Sequence, residues 1–191
     1  MRIKSINIVN FKGFENKTIN FNGNLTVVIG NNTAGKTTLL KALQVGLGAY
    51  LQSLKQLPGG VPYRRNFSSL DKFMRFDKEL RDYRHNEEKP RITINAEYPI
   101  TESLCDNCPK VSFVPINWYR EFAGNYTTHT RACAGELIDA VHQMESLRYD
   151  KKQKSIYPLV LSFGAKRTSD SQARSTSNVK ERVSRVEKAY K

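Results

Sequence analysis

The N-terminal pattern of hydrophobic and polar positions has a period of two, which predicts β-strands. From Arg2 to Val9, isoleucines alternate imperfectly with polar residues, and KTINF (17–21) predicts a second strand after a turn at Gly13. The NGN sequence at 22–24 is typical of a turn. LTVVI (25–29) is a continuous apolar run, which is typical of a strand buried on both faces. The pattern therefore predicts a hairpin followed by a buried strand.

Two segments have the helical period instead. The first runs from about Lys36 to Leu51, and the second runs from about Arg131 to Tyr149. Leucines form the apolar face of the first helix: Leu39, Leu40, Leu43, Leu47 and Leu51. The corresponding positions of the second helix are Ala134, Leu137, Ile138, Val141, Met144 and Leu147. Both segments are predicted to pack one face against a core.

The remaining pattern divides the chain into one lobe and a basic C-terminal segment. Residues 91–100, 111–119 and part of 155–167 predict strands, the last of them buried and ending in a glycine turn. Residues 55–90 combine a Pro-Gly-Gly turn with alternating charges, which predicts a surface insertion with one short helix or none. We predict a lobe over 1–167, and a mobile loop followed by a charged helix over 168–191.

The loop between the third predicted strand and the first helix has the spacing of a phosphate-binding motif. Its residues match G-x-x-x-x-G-K-[ST] without a gap: Gly30, Asn31, Asn32, Thr33, Ala34, Gly35, Lys36 and Thr37. Glycines allow successive backbone N–H groups to point at phosphate oxygens, and the helix start adds its positive end. Lys36 is predicted to reach the β- and γ-phosphates, Thr37 to bind Mg²⁺, and Thr38 to bond the α-phosphate.

The position of this loop separates the chain from small kinases and G proteins. In those proteins the loop normally follows the first strand, whereas here it follows the third, and the Asp-x-x-Gly and Asn-Lys-x-Asp motifs of G proteins do not occur. The opening I-x-x-F-K-G-F and the segment from Leu25 to Leu43 resemble the N-terminal lobe of ATPases of the structural-maintenance-of-chromosomes, RecF and ABC-type group. Trp118-Tyr119-Arg120 and residues 158–167 resemble a bacterial AAA family described as predicted ATP-binding proteins involved in virulence, which is related to antiphage ATPases.

The resemblance also shows what this sequence lacks. It implies a Walker B strand ending in Asp-Glu, a signature Ser-Gly-Gly, and two heads that sandwich ATP. Leu137-Ile138-Asp139 is too short for Walker B and fits a helix edge, and Leu57-Pro58-Gly59-Gly60 fits a simple turn. We therefore expect the chain alone to bind ATP but to be inactive or very slow in hydrolysis, because phosphoryl transfer depends on positioning and charge stabilisation.

Several other residues have two interpretations at this stage. Lys12 either approaches the nucleotide, as basic residues do in the related ATPases, or lies in water at a hairpin tip. Arg167 could reach the phosphates or lie on the partner-facing surface. Its other interpretation is a plain surface arginine. Cys105 and Cys108 have zinc-ligand spacing, with His129 and Cys133 downstream, but a single C-x-x-C favours reduced, unconnected thiols. Trp118 is interpreted as a core residue rather than a base-stacking platform.

The charge of the chain suggests a polyanionic partner. Lys and Arg number 31 against 18 Asp and Glu, a net charge of +13. A solvated tail, or a surface that meets an acidic remainder of a larger protein, explains the same excess. No apolar run approaches the roughly 20 residues of a membrane span. The N-terminus does not have the pattern of a signal peptide, and only three cysteines occur, so we expect a cytoplasmic protein with no membrane partner.

These observations give one leading hypothesis and two rivals. We predict an α/β P-loop NTPase lobe, with a mixed sheet, an N-terminal antiparallel hairpin and the Walker A helix packed on it. Its predicted function is Mg²⁺–ATP binding in an ABC/SMC/RecF-like ATPase, with a C-terminal lobe or a second ATPase head as partner. The alternative is a nucleic-acid-binding module with a regulatory nucleotide site. A small-molecule kinase is disfavoured by the N-terminal hairpin.

Overall fold

The computed structural model describes residues 1–55, 64–85, 87–102, 110–149 and 157–162. Within these ranges the chain forms an α/β fold, as the sequence predicted. The four longer strands and two helices lie close to their predicted bounds, and a short hairpin is added. The elements are β1 Arg2–Phe11, β2 Phe14–Asn20, α1 Lys36–Ser53, β3 Met74–Asp77, β4 Asp82–His85, β5 Arg91–Glu102, β6 Lys110–Glu121 and α2 Arg131–Tyr149.

The main sheet has four strands in the order β2-β1-β5-β6, and every ladder in it is antiparallel. The predicted mixed sheet is therefore not what the described residues form. Alternation gives the sheet one apolar and one polar face, because successive side chains of a strand point to opposite sides. Residues of the apolar face are almost completely buried: Ile6, Ile8, Ile92, Ile94, Tyr98 and Trp118.

Helices α1 and α2 contact each other and supply much of the rest of the core, together with loop residues such as Phe67 and Phe122. Ala42, Val45 and Ala49 of α1 are fully buried, as are Val141 and Met144 of α2. The first turn of α2 is irregular at Ala134, whose N–H group bonds Thr130 O at 2.9 Å, like that of Cys133 at 3.0 Å. The described part is thus a sheet with one face covered by two helices.

Two segments predicted as buried strands form no ladder in the described structure. Leu25, Val27 and Ile29 are 75 %, 68 % and 88 % exposed, and Leu159 and Leu161 are 56 % and 60 % exposed. A strand buried on both faces needs neighbouring strands and a covering layer. The four strands of the main sheet pair with one another. Among the described residues no strand pairs with either apolar segment. The prediction of burial is therefore wrong for this chain by itself.

The insertion contains a hairpin that the sequence did not predict. Strands β3 and β4 pair with each other in a separate two-stranded sheet and are preceded by a 3₁₀ turn at Ser69–Asp71. The backbone around this turn is bonded to the end of β1, with Lys12 N donating to Asp71 O at 2.7 Å and Phe73 N to Asn10 O at 3.0 Å. The hairpin therefore begins beside the β1–β2 turn. Segment 168–191 lies outside the described residues.

No helix in the described ranges has the length and apolar character that crossing a membrane requires.

Candidate functional site

The loop from Gly30 to Gly35 connects the exposed apolar segment to the start of α1, and its backbone depends on glycine. Gly35 has φ +90° and Thr33 has φ +74°, a region that L-residues with a side chain rarely adopt. A Cβ atom on Gly35 would lie 2.8 Å from the Phe14 ring, and one on Gly30 would lie 3.2 Å from Ala34 Cβ. The second motif glycine is therefore required both by its backbone conformation and by its contact with the β1–β2 hairpin.

Lys36 folds back over this loop. Its Nζ atom donates hydrogen bonds to Gly30 O at 2.5 Å and to Asn31 O at 2.7 Å. Within the loop, Ala34 N donates to Asn31 O at 3.2 Å, and the Thr33 hydroxyl donates to Asn32 O. The ammonium group thus lies over the loop and is hydrogen-bonded to two of its neutral carbonyl groups.

The start of α1 leaves backbone donors available to an anion. The first bond of the helix runs from Leu39 N to Gly35 O at 2.9 Å. The N–H groups of Lys36, Thr37 and Thr38 come before it, where helix geometry provides no intrahelical acceptor. No side chain caps this end, and its first turn has no acidic residue. The helix start therefore presents several backbone N–H groups without a helical acceptor, and it has a partial positive charge.

The donor chemistry of this loop fits the phosphates of a nucleotide with Mg²⁺. Oriented N–H groups and a lysine suit phosphate oxygens, and the exposed hydroxyl of Thr37 suits the cation. Asn31, Asn32, Thr33 and Ala34 are exposed around the same loop. Among the described residues no cluster of three or more His, Cys, Asp or Glu side chains is placed to hold a metal. The Thr37 hydroxyl would be the ligand from this loop, beside phosphate oxygens of the nucleotide.

Lys12 has a partner that neither interpretation of it included. Its Nζ atom lies 2.7 Å from Asp71 Oδ1, and Asp71, which is 1 % exposed, also accepts from Arg65 Nη2 at 3.1 Å and Ser68 N at 3.0 Å. Burial acts to raise the pKa of Asp71, but the bonds from Lys12 and Ser68 and the charges of Arg65 and Lys12 outweigh it and lower the pKa. Sequence reasoning missed Asp71, because it lies among alternating charges that carry no local signal.

The other candidates divide between core, surface and undescribed positions. Trp118 is 1 % exposed, in agreement with its interpretation as a core residue. Leu137 and Ile138 are buried on α2, whereas Asp139 pairs at the surface with Arg131 at 2.5 Å, as the helix-edge interpretation expected. Cys133 is a buried free thiol. Arg167, Cys105, Cys108 and Leu57–Gly60 lie outside the described residues, so their interpretations stay predictions.

His129 is a buried histidine near two arginines, Arg120 and Arg64. The pKa of His129 is lowered to about 4 by burial, with a further contribution from the charges of Arg120 and Arg64. Its Nδ1 atom is buried and has no hydrogen-bond partner among the described residues. The histidine is therefore neutral at pH 7.

Comparison with known proteins identifies the family. Residues 1–189 match the family model described as AAA ATPase domain. The chain is also similar to the retron Ec83 probable ATPase of Escherichia coli, with 43 % identity over 49 residues, which is 25 % of this chain and 9 % of that protein. The aligned region thus spans only a small part of that relative's length. Because the family model covers nearly the whole chain and the loop geometry suits a nucleotide, the chain belongs to the AAA ATPase domain family.

Proposed function

We propose that this chain is the Mg²⁺–ATP-binding lobe of an ABC/SMC/RecF-like ATPase. The observation that carries the proposal is the start of α1, where three N–H groups have no helical acceptor and Lys36 lies over the loop that precedes them. A phosphate group is a stronger acceptor for an ammonium than the two carbonyl groups that Lys36 bonds now. Binding would therefore exchange two neutral acceptors for a charged one.

The chemistry of the bound state is divided between the loop and the ion. Mg²⁺ would neutralise phosphate charge, with Thr37 as its ligand from this chain. The backbone donors of residues 35–38 and Lys36 would orient the phosphates. The described residues contain no Asp-Glu pair after a run of four apolar residues, so nothing in them resembles a water-positioning group.

Hydrolysis, on this proposal, requires a second lobe, either a C-terminal lobe of the same protein or a second ATPase head. The exposed apolar side chains of segments 25–29 and 159–161 support this, because a solvent-facing row of Leu, Val and Ile is unfavourable unless another layer covers it. A cytoplasmic role in DNA repair or phage defence is the process we propose, and the likeness to a retron ATPase supports the latter.

The test is nucleotide affinity of Lys36→Ala. We expect the variant to lose detectable Mg²⁺–ATP binding, or to weaken it by on the order of a hundredfold, because a charged hydrogen-bond donor worth about 1.5–3 kcal/mol is removed from a site built for phosphate. Isothermal titration calorimetry measures it directly and does not depend on turnover.

The matched control for that variant is Lys41→Ala, which removes the same charge from α1 beyond the loop. Its affinity should stay within about twofold of the parent, because five helical positions turn the Lys41 side chain about 140° away from that of Lys36, so it cannot donate to the same phosphates. Equal affinities for the parent and Lys36→Ala would refute the proposed site.

A second candidate function, single-stranded nucleic-acid binding, is favoured by the hairpin β3–β4. Phe76 and Tyr83 lie opposite each other, with ring centroids 5.2 Å apart, and are 48 % and 64 % exposed. The carboxylate of Asp77 caps the turn by accepting from Glu79 N and Leu80 N. Basic residues line the same hairpin: Arg75, Lys78, Arg81 and Arg84. Arg75 and Arg84 face the side opposite the two rings, because strand side chains alternate, and Lys78 and Arg81 belong to the turn. Exposed aromatic rings on a basic hairpin suit stacked bases and phosphates.

Salt dependence tests this second candidate. We expect fluorescence anisotropy to show affinity for a single-stranded oligonucleotide that falls with log[salt], with a slope reduced by roughly 1.4 in the double variant Arg75→Ser/Arg81→Ser. The double variant Lys17→Ser/Arg131→Ser removes two charges elsewhere and should keep a steeper slope. No binding at low salt, or identical slopes, would eliminate the hairpin as the binding element.

A further inference from the structure

Two side chains of β6 donate hydrogen bonds to carbonyl groups in the middle of α1. Trp118 Nε1 donates to Gly46 O at 2.9 Å, and Arg120 Nη1 donates to Val45 O at 2.9 Å. The two residues lie on the same face of the strand because they are two positions apart. Carbonyl oxygens inside a helix already accept one N–H bond, so these donors use the second lone pair. Two consecutive carbonyls of the Walker A helix are thus fixed to the sheet.

The glycines of α1 allow this close approach. A Cβ atom on Gly46 would lie 2.4 Å from Ile94 Cδ1, and one on Gly48 would lie 2.4 Å from Arg120 Nη1. Glycine inside a helix costs about 1 kcal/mol relative to alanine. Its presence at both positions is explained by the contact distance between helix and sheet, which larger residues would increase.

Arg120 joins α1 to two further segments. Besides Val45 O, it donates to Arg65 O at 3.1 Å, to Asn66 Oδ1 at 2.9 Å and to Thr128 O at 3.5 Å. It is 1 % exposed, and no carboxylate in the described ranges pairs with it. Burial, together with the charge of Arg64, lowers its pKa to about 10, so it stays protonated at pH 7.

A buried cation without a counter-ion is costly, and a neutral side chain would pack here at lower cost. The guanidinium group has one property that a neutral residue lacks, a planar fork of five donors in fixed directions. Acceptors from three separate segments are arranged around that fork. The arrangement therefore indicates that Arg120 holds these segments in a fixed relative position, rather than simply filling the core.

We propose that Trp118 and Arg120 are positioning residues of the nucleotide site, which set the placement of α1 and with it the loop at its N-terminus. The proposal depends on the proposed ATP binding. Val45 lies nine residues after Lys36, about 14 Å along the helix axis. At the helix start, Gly35 packs close to the Phe14 ring, because an added Cβ atom would lie 2.8 Å from it. Contacts at both points define where Lys36 and Thr37 lie relative to the sheet.

The experiment compares Mg²⁺–ATP affinity of Arg120→Ala, Arg120→Lys and Trp118→Phe at a temperature where circular dichroism shows each variant folded. We expect Arg120→Ala to raise Kd on the order of tenfold, the equivalent of one charged hydrogen bond. Arg120→Lys should recover part of the loss, because an ammonium can donate to Val45 O but cannot reach all four acceptors. Trp118→Phe keeps the aromatic packing and loses only the donor, so its Kd should rise by a smaller factor.

The control separates positioning from stability. Ile116→Ala lies on the same strand and the same face, is also buried, and donates nothing to α1. It should lower Tm while leaving Kd unchanged. If Arg120→Lys and Trp118→Phe are folded and bind Mg²⁺–ATP like the parent, the positioning role is refuted even when Lys36→Ala abolishes binding. If Lys36→Ala also binds like the parent, the proposed function itself fails.

Discussion

Buried polar side chains of this chain obtain their properties from the groups that the fold places around them. Asp71 is ionised in the core because Lys12 and Arg65 approach it, and Arg120 remains charged among carbonyl groups of three segments. His129 is kept neutral by burial and by the nearby arginines. The same residue types in water would have ordinary pKa values.

The lowered pKa of His129 predicts that acid destabilises the fold in a defined range. The unfolded chain binds a proton at the ordinary pKa of 6.5, whereas the folded chain binds it only near 4. Between these values the unfolded state holds more protons, so the free energy of unfolding falls as pH drops from 6.5 to about 4. Urea unfolding at several pH values measures this fall.

The variant His129→Gln provides the comparison, since glutamine cannot take up the proton. Its unfolding free energy should depend less on pH over that range, and the gap to the parent should narrow or reverse as pH is lowered. Parallel pH profiles for the two proteins would show that His129 does not titrate in this way.

At the scale of elements, α1 shows which properties of a helix the local sequence pattern predicts and which it does not. Leucine spacing predicted the helix, and its start at Lys36 agrees with the structure. The predicted leucine face is wrong in part, because Leu40 is 53 % exposed, whereas Ala42, Val45 and Ala49 are fully buried. Its distance from the sheet was not predictable, because that distance depends on which residues of β5 and β6 face Gly46 and Gly48. The hairpin β3–β4 was missed for a related reason: its sequence is mainly charged, and two exposed strands leave no clear alternation of apolar residues.

Gly46→Ala tests the close approach of α1 to β5. Alanine improves helix propensity by about 1 kcal/mol, but its Cβ would overlap the buried side chain of Ile94, and such overpacking costs about 1–3 kcal/mol. We expect a net loss of about 1 kcal/mol in the free energy of unfolding by urea. The double variant with Ile94→Val removes the overlapping methyl group and should recover part of the overlap cost.

Gly135→Ala in α2 is the matched control for this change, because its added Cβ would meet no atom within 4 Å. It should leave stability unchanged or raise it by up to about 1 kcal/mol. Equal effects of alanine at positions 46 and 135 would contradict the close packing of α1.

At the scale of the whole molecule, the described residues leave apolar surface in two separate segments. Both segments read as buried strands from sequence, yet Val27 is 68 % and Leu161 is 60 % exposed. The apolar pattern of both segments thus predicts a covering layer that the described residues do not supply. Together with the missing Walker B group, this supports the proposal that the chain functions with a second lobe.

The exposed segments predict a measurable surface property. The chain of 191 residues should bind a hydrophobic dye such as ANS while folded, and the triple variant Leu25→Ser/Val27→Ser/Leu161→Ser should bind much less. Its Tm should change little, because exposed side chains contribute little to stability. Unchanged dye fluorescence in the triple variant would show that these segments are covered.

The sequence alone determined the features that depend on neighbouring residues. Periodicity predicted β1, β2, β5, β6 and both helices, since strand and helix patterns repeat over two to four positions. A phosphate-binding loop could be predicted for the same reason, because its glycines, lysine and helix start are consecutive.

Only the tertiary structure decided which distant groups meet. It brought Asp71 to Lys12, Phe14 to Gly35, and the donors Trp118 and Arg120 to carbonyl groups of α1. It also showed that segment 25–29 lacks a partner strand among the described residues. Such contacts depend on long-range packing, which brings together residues whose separation along the chain has no fixed period.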